Sequence, residues 1–386
     1  MPDFGIFRGF SEKSFGDKLF AGQTPTQLGG GVEQTTDESG WVRPSDWLPM
    51  PTGITSNDEI FVGLHAVIEN NDNYVAFLFT TSTAGQYQVD WGDGTVTLHN
   101  SNTAAEYEYN FDTYDVNNTT LCSRGYKQTI ITVTPVTGVF RICNFQRRYT
   151  TTPAQSQPYS TGFLDIILSM PNASTGSSIT FGGATVRHSY VERVEIKTIG
   201  GTTILTAFFQ NCFSLQSVLL LNTQNVTGVA NMFNSCFSLQ SVPFFNTQNV
   251  TNMGSMFVNC YSLQSVPLIN TQNVTTMNNM FSSCLSLNSI PALSTQSITT
   301  ISGTDFGANF ANNCNSLSRC QMVFARTVSV ANCQLSRDAI VEIFNNLVDR
   351  SSTTSATITI TGNWGVGALS AADLAIATNK NWVVTT

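Results

Sequence analysis

Charge is what this chain has least of. Only 11% of its 386 residues are Asp, Glu, Lys or Arg, where about 25% is usual for a soluble domain. The net charge of -8 leaves no basic stripe to neutralise phosphates, which argues against a nucleic-acid binder. Between Lys197 and Asp305 there is no charged side chain at all, so solubility there rests on Asn, Gln, Ser and Thr. No apolar run approaches the roughly 20 residues of a membrane-spanning helix; the longest conspicuous one, Val218 to Leu221, is strand-sized. The N-terminus, "MPDFGIFRGFSEKSFGDKLFAG", lacks a continuous apolar h-region and a cleavage site after one, so a classical secretory route is not expected.

Chemistry-bearing patterns are scarce too. There is no G-x-G-x-x-G or Walker loop, so no nucleotide cofactor is expected. His65, His99 and His188 stand singly, without the Ser, Cys or acid spacing of a nucleophilic triad, and read as structural or surface residues. No acid–base pair emerges, so an enzyme is the least favoured class. The nine cysteines are odd in number, with four at identical intervals and no CxxC pairs, which fits neither a disulfide framework nor a zinc site. They read as reduced, packed thiols.

What the chain does have is repetition. Cys212, Cys236, Cys260 and Cys284 are each 24 residues apart, and Cys314 follows after 30, with six extra residues around "ISGTDFGANFANN". Phe209, Phe233, Phe257 and Phe281 precede the cysteines by three, and Leu215, Leu239, Leu263, Leu287 and Leu317 follow by three. Val218, Val242, Val266 and Ile290 come six after, and Val226, Val250, Val274, Ile298 and Val328 fourteen after. Within a unit, Val250, Met253, Met256, Phe257 and Cys260 recur at spacings that predict one apolar stripe of a short helix or 3₁₀ segment. "SLQSVPLIN" reads as extended, with Pro267 at a strand edge or end. One such unit cannot bury its stripe alone, but stacked copies cover each other, with strands about 4.8 Å apart, as a solenoid.

A solenoid needs a cap. "LSRDAIVEIFNNLVDR" puts Ile340, Ile343, Phe344 and Leu347 on one helical face behind Ser336 as N-cap. A strand-like "ATITITGNWG" and a helix from Ser370, with Asp373 at capping-box spacing, close the chain. Residues 51–194 read as an antiparallel β-sandwich of alternating runs such as "GQYQVDWGDGTVTLHN". Residues 1–50 read as an arm and linker. Phe4, Ile6, Phe7, Phe10, Phe15, Leu19 and Phe20 have no partner in their own stretch, which points to docking on another subunit, and "LGGGVEQTTDESG" follows as a flexible connector. The expected organisation is therefore arm 1–50, sandwich 51–194, solenoid 195–333 and cap 334–386.

Four features are candidate sites. Asp90 and Asp93 in "DWGDGT" fall short of the roughly six to eight oxygens that Ca²⁺ takes, so they read as turn residues beside Gly92 and Gly94, and no metal is expected. The cysteine column lies within disulfide reach between coils, yet in-register side chains point the same way and Cys is commonly a small buried hydrophobe. The N-x-T sequons at Asn225, Asn249 and Asn273 read better as Asn ladders at coil corners than as glycosylation sites. Gln216, Gln240, Gln264 and Asn288, one per coil beside Ser217, Ser241, Ser265 and Ser289, would form an uncharged strip suited to sugar hydroxyls or a partner's backbone. A solvated sheet face without a ligand is the competing interpretation.

The repeat "MFxxCxSLQSVPxxNTQNVT" over residues 205–333 resembles the BspA-like leucine-rich repeats of bacterial surface proteins and tailed-phage virion proteins. The Met-Phe pairs at 232/233, 256/257 and 280/281 carry the resemblance, with the Cys, Leu and Pro columns. "YQVDWGDGTVTLHN" followed by "AEYEYNF", within residues 57–135, resembles a polycystic-kidney-disease (PKD-like) domain, an immunoglobulin-like sandwich; "DTYDVNNTTLCSRGYKQ" interrupts its usual later strand. The overall order is similar to structural proteins of marine tailed phages. These resemblances imply a non-enzymatic virion protein, assembled in host cytoplasm where thiols stay free. It would be a tail-fibre, neck-appendage or host-binding protein, with a capsid or tail decoration protein and a bacterial adhesin as alternatives. Its expected partners are other virion proteins through the arm, a host surface glycan or protein, and further copies of itself.

Overall fold

The computed structural model describes residues 41–386 apart from 70–72, 83, 115–120, 146–161, 174–177, 182–189, 202–203, 221–222, 224, 243–245 and 294–308. The chain is mostly β. Two sheets form its N-terminal part from β1 (Ile60–Ile68), β2 (Tyr74–Thr81), β3 (Gln86–Asp90), β4 (Val96–Asn100), β5 (Ala104–Glu108), β6 (Tyr126–Pro135), β7 (Phe140–Asn144), β8 (Phe163–Met170), β9 (Ser178–Thr180), β10 (Arg193–Ile199) and β11 (Ser217–Leu220). A seven-stranded sheet runs β11-β10-β8-β1-β6-β3-β4, and a four-stranded sheet runs β5-β2-β7-β9. Their inner faces share an aromatic core in which Phe61 of β1 lies 6.2 Å from Phe77 and 5.9 Å from Phe79 of β2.

The expected all-antiparallel sandwich is not what forms, because β8–β10, β10–β11 and β7–β9 are parallel. β10 crosses the boundary expected between residues 194 and 195, and β11 already belongs to the first coil of the repeat. The first coil thus continues the larger sheet: Gln216 and Ser217 donate their N–H groups to the Glu192 carbonyl at 2.8 and 3.1 Å. The β unit covers the N-terminal end of the solenoid.

Residues 41–50, expected within the arm, are pinned to the outer face of this sheet. Trp47 Nε1 donates to the Tyr126 hydroxyl at 2.8 Å, the Leu48 N–H donates to Gln128 Oε1 at 2.9 Å, and Arg43 Nε reaches the buried Asp165 at 3.0 Å. Trp41 and Trp47 close a second small core with Leu64, Ile68, Tyr126 and Leu164. The arm residues Phe4, Ile6, Phe7, Phe10, Phe15, Leu19 and Phe20 lie outside the described residues.

The solenoid is a β-solenoid, and in place of the short helix or 3₁₀ segment expected in each unit it has three-residue turns that alternate with bonds to the next coil. From Val229 to Cys236 alternate N–H groups choose different partners. Those of Val229, Asn231, Phe233 and Ser235 donate to carbonyls of the next coil at Asn252, Gly254, Met256 and Val258. Those of Met232, Asn234 and Cys236 donate three residues back, to Val229, Asn231 and Phe233. This pattern needs recurrent left-handed residues, and Asn231, Ser235, Ser255, Asn259, Asn279 and Ser283 all have φ between 55° and 63°. Asn tolerates that region better than most side chains. A helix would satisfy each coil internally; here every coil depends on its neighbour.

Packing follows the same axis. Phe209, Phe233, Phe257 and Phe281 stack face to face at 5.5, 5.6 and 5.7 Å. The column starts inside the β unit, with Phe145 on Phe181 at 4.4 Å and Phe181 on Phe209 at 6.0 Å. Cys236, Cys260, Cys284 and Cys314 donate their thiols to the carbonyls of Phe209, Phe233, Phe257 and Phe281 one coil back, at 2.9 to 3.1 Å. All nine cysteines are free and buried. Burial pushes the Cys212, Cys236, Cys260 and Cys284 thiols well up, which keeps them protonated and able to donate. After the insertion, Cys314 keeps the register, while Phe310 meets Phe281 edge-on at 90°.

The C-terminal end is capped as expected. Short strands β12 (Ser289–Ile290), β13 (Arg319–Cys320) and β14 (Val328–Ser329) continue the coils, and β15 (Ala356–Thr359) and β16 (Trp382–Thr385) pair parallel beyond β14. Helix α1 (Arg337–Asn346) starts where Ser336 accepts the Ala339 N–H, and α2 (Ala371–Thr378) starts at a complete Ser370/Asp373 capping box. Ile340, Ile343, Phe344 and Leu347 are buried on one face.

Two expectations follow. Phe257→Ala removes a ring between two stacked neighbours and should lower stability by about 3–5 kcal/mol in urea unfolding, with Phe257→Leu costing less. His65 lies fully buried between Tyr109 and Phe163, its Nε2 accepting the Gly162 N–H, and burial lowers its pKa from 6.5 to about 3. Above pH 6.5 it is neutral whether folded or not, so its contribution is intact. As pH falls from 6.5 towards 3 the unfolded chain takes up a proton that the folded one refuses, and stability declines, by about 3 kcal/mol at pH 4. Thermal melts from pH 7 to pH 4 should show a shallower slope for His65→Gln than for the parent.

Candidate functional site

The strip of amides is present, but it is not uniform. Gln240, Gln264 and Asn288 are exposed, whereas Gln216 is half-buried and its Nε2 donates to Glu192 at 3.3 Å. Backbone bonds align the column: the Gln264 N–H donates to the Gln240 carbonyl at 2.9 Å, and the Asn288 N–H to the Gln264 carbonyl at 3.3 Å. The inward leucines Leu215, Leu239, Leu263 and Leu287, each one residue before an amide, are fully buried. The serine before each leucine sits in the tight turn closed by the leucine N–H on the cysteine carbonyl, and it opens on the same cleft as the amides.

Those serines are Ser214, Ser238 and Ser262, and they rather than Ser217 and Ser241 join the strip. The expected companion column is uneven, since Ser217 is buried, Ser241 half-buried, and only Ser265 and Ser289 exposed. Ser214, Gln216, Ser238, Gln240 and Ser262 line a cleft of about 230 Å³ whose end wall is Arg124 and Glu192 of the β unit. A cue was available in the sequence, because "SLQS" places a serine at both ends and only its first is two residues from the glutamine. Arg124 and Glu192 carried no such cue, since their place at the first coil depends on the sheet running through β8, β10 and β11.

The end wall is built firmly. Arg124 forms an ion pair with Glu192 and lies 5.5 Å over the Trp47 ring. Burial raises the Glu192 carboxyl above its usual range, and the Arg124 guanidinium pulls it partly back. Next to it, Asp165 is fully buried between Arg43 and Arg193, at 3.0 Å from each. The cleft therefore offers hydroxyls, amides and an internally neutralised pair. It presents no unpaired charge to a ligand.

Beside the strip, Phe213, Phe237 and Tyr261 stack at 4.6 and 4.7 Å, nearly parallel. Their faces are turned on each other, so this column staples coils together and leaves ring edges outward. Asp90 and Asp93 serve the turn, with Asp90 Oδ1 accepting the Gly92 N–H and Asp93 Oδ1 the Thr95 N–H, each at 2.9 Å. At the coil corners, Thr223 and Thr247 donate to the carbonyls of Asn246 and Asn270 at 3.0 and 2.8 Å, and Asn273 Nδ2 donates to the Gln248 carbonyl at 2.6 Å. Among the described residues no group of three His, Cys, Asp or Glu is placed to hold a metal ion.

Residues 202–317 match a family described as "Mycoplasma protein of unknown function, DUF285". The match and the β-solenoid together fit a BspA-like repeat protein. No curated protein and no solved structure matches the chain.

The two parts of the site should respond differently to substitution. Arg124→Met strands a buried carboxylate and should cost about 3 kcal/mol, whereas Gln240→Ala, on an exposed position, should stay within about 0.5 kcal/mol of the parent. Urea titrations of the two variants check both.

Proposed function

We propose that the chain is a non-enzymatic structural protein of a tailed-phage virion, displaying its solenoid to recognise a neutral, hydroxyl-rich glycan on the host surface. The observation that carries this reading is the cleft. Hydroxyls and amides of successive coils, Ser214, Gln216, Ser238, Gln240 and Ser262, line it beside Arg124 and Glu192, and the exposed amide column continues beyond it at Gln264 and Asn288. Coils about 4.8 Å apart repeat at nearly the length of one hexose in an extended polysaccharide, so successive sugars can meet successive coils in equivalent ways. A neutral ligand suits the site, because neither a carboxylate nor a cation on the ligand would find an unpaired partner there. Single contacts of this kind are weak, and many copies on one particle would raise avidity.

Free thiols throughout the chain accord with assembly in a reducing cytoplasm, and the resemblance of the domain order to phage structural proteins supplies the virion setting. The test uses the full chain on bacterial cells and on a panel of purified neutral surface polysaccharides. Saturable binding is expected, weakened roughly 10-fold or more in Gln240→Ala/Gln264→Ala by loss of two hydrogen-bonding groups while the melting temperature stays unchanged. Binding that is indifferent to the double variant would defeat the proposed site. Particles that lose integrity without the protein, and a protein that binds no cell, would point to a decoration role.

A further inference from the structure

Among the described residues the seven-stranded sheet ends at β4, which pairs with β3 alone. Exposed edges are usually guarded by lysine, proline, a bulge or a covering segment. β4, with the sequence Val-Thr-Leu-His-Asn, carries neither charge nor proline, and its register with β3 is unbroken. Val96 and Leu98 are 52% and 60% exposed.

The hydrogen-bond phase of this edge is fixed at both ends. The Trp91 N–H donates to the Thr95 carbonyl at 3.0 Å, and the Ser101 N–H to the Gly85 carbonyl at 2.7 Å. Bonded pairs alternate in an antiparallel ladder, so Val89/Thr97 and Tyr87/His99 are the bonded pairs between β3 and β4. The N–H and C=O groups of Val96 and Leu98 therefore point away from β3. The Asn100 carbonyl on that side already accepts the Thr103 N–H at 3.0 Å.

We propose that a second copy of this chain pairs here, β4 against β4, antiparallel about a two-fold axis at Leu98. The strand suits itself as partner. Leu98 is its central residue and, among the described residues, has both outward backbone groups unused, so a bonded Leu98–Leu98 pair uses all four. The same axis sets Val96 opposite Asn100 of the other copy, and an uncharged strand meets no like charge across the join. Two β units would then share one continuous sheet through an isologous contact. Five residues a side is a small interface, so the pairing is weak and depends on concentration.

The test is cysteine cross-linking of the full chain under mild oxidation. The nine native thiols are buried and should not compete. In a bonded antiparallel pair the facing Cα atoms are about 5.5 Å apart, within disulfide reach, so Leu98→Cys should give a covalent dimer. Val96→Cys alone should not, whereas Val96→Cys mixed with Asn100→Cys should. Leu98→Pro removes only an outward N–H, which an edge strand tolerates; it should keep the parent's circular dichroism and remain monomeric in sedimentation at concentrations where the parent dimerises. Leu98→Lys gives the same reading if the proline variant fails to fold. Absence of the Leu98→Cys dimer, equal cross-linking by Val96→Cys, or a folded Leu98→Pro or Leu98→Lys protein that still dimerises overturns the proposal.

Discussion

The hydrogen bonds that a coil cannot make within itself are the constraint on which the rest of this molecule depends. In the stretch around each Met-Phe pair, half of the N–H groups turn back three residues and half cross to the next coil. A buried backbone group left without a partner costs about 1–3 kcal/mol, so no coil can be stable at the end of the stack unless something else receives its bonds. At the C-terminal end the receiver is β15, where the Val330 N–H meets the Thr359 carbonyl at 3.0 Å. The "SLQS" stretch of each coil bonds the other way, to the coil before it, and at the N-terminal end the Glu192 carbonyl takes that place by accepting the Gln216 and Ser217 N–H groups. The β unit and the helical cap are in this sense parts of the solenoid.

The same constraint accounts for the thiols. A Cys side chain is small enough for the core and keeps one weak donor, which here supplements the carbonyl of a phenylalanine one coil back. Valine or alanine would fill the volume without the bond, and serine would bring a more strongly hydrated group into an apolar column. Burial holds the proton on sulfur, so the column is bonded and chemically inert together.

Much of this was legible in the repeat. The columns of Cys, Phe, Leu and Val fixed which residues face inward, and each is buried among the described coils. The C-terminal caps were legible because Ser336 and Ser370 sit at the right distance from their helices' apolar faces. The short helix or 3₁₀ segment that the spacing predicts in each unit gives way to a run of tight turns, because apolar residues at steps of three and four are shared by both. Asn or Ser immediately before Cys212, Cys236, Cys260, Cys284, Cys314 and Cys333 distinguishes the two, because that residue is left-handed in every case. The joining of the β unit to the first coil was not legible, since it rests on parallel pairing between strands whose order no local pattern encodes. The cleft inherits that opacity, its serines and amides lying in the repeat and its end wall far away in sequence.

The scarcity of charge, finally, does not by itself imply a ligand. In a stack of nearly identical units each side chain lies about 4.8 Å from its own copies above and below. A charge placed in a unit would face the same charge on both sides, at about 1 kcal/mol per neighbour even in water and several times that near a low-dielectric surface. An in-register repeat is thus driven toward neutral polar residues whether or not it binds anything. What repetition does not explain is the place where it is broken, where Arg124 and Glu192 close one end of the Ser/Gln strip and hold Gln216 in a bond that its equivalents Gln240 and Gln264 do not share. A ligand that reads this surface would find a fixed point there, which is why recognition is placed at the cleft and not on the neutrality of the coils.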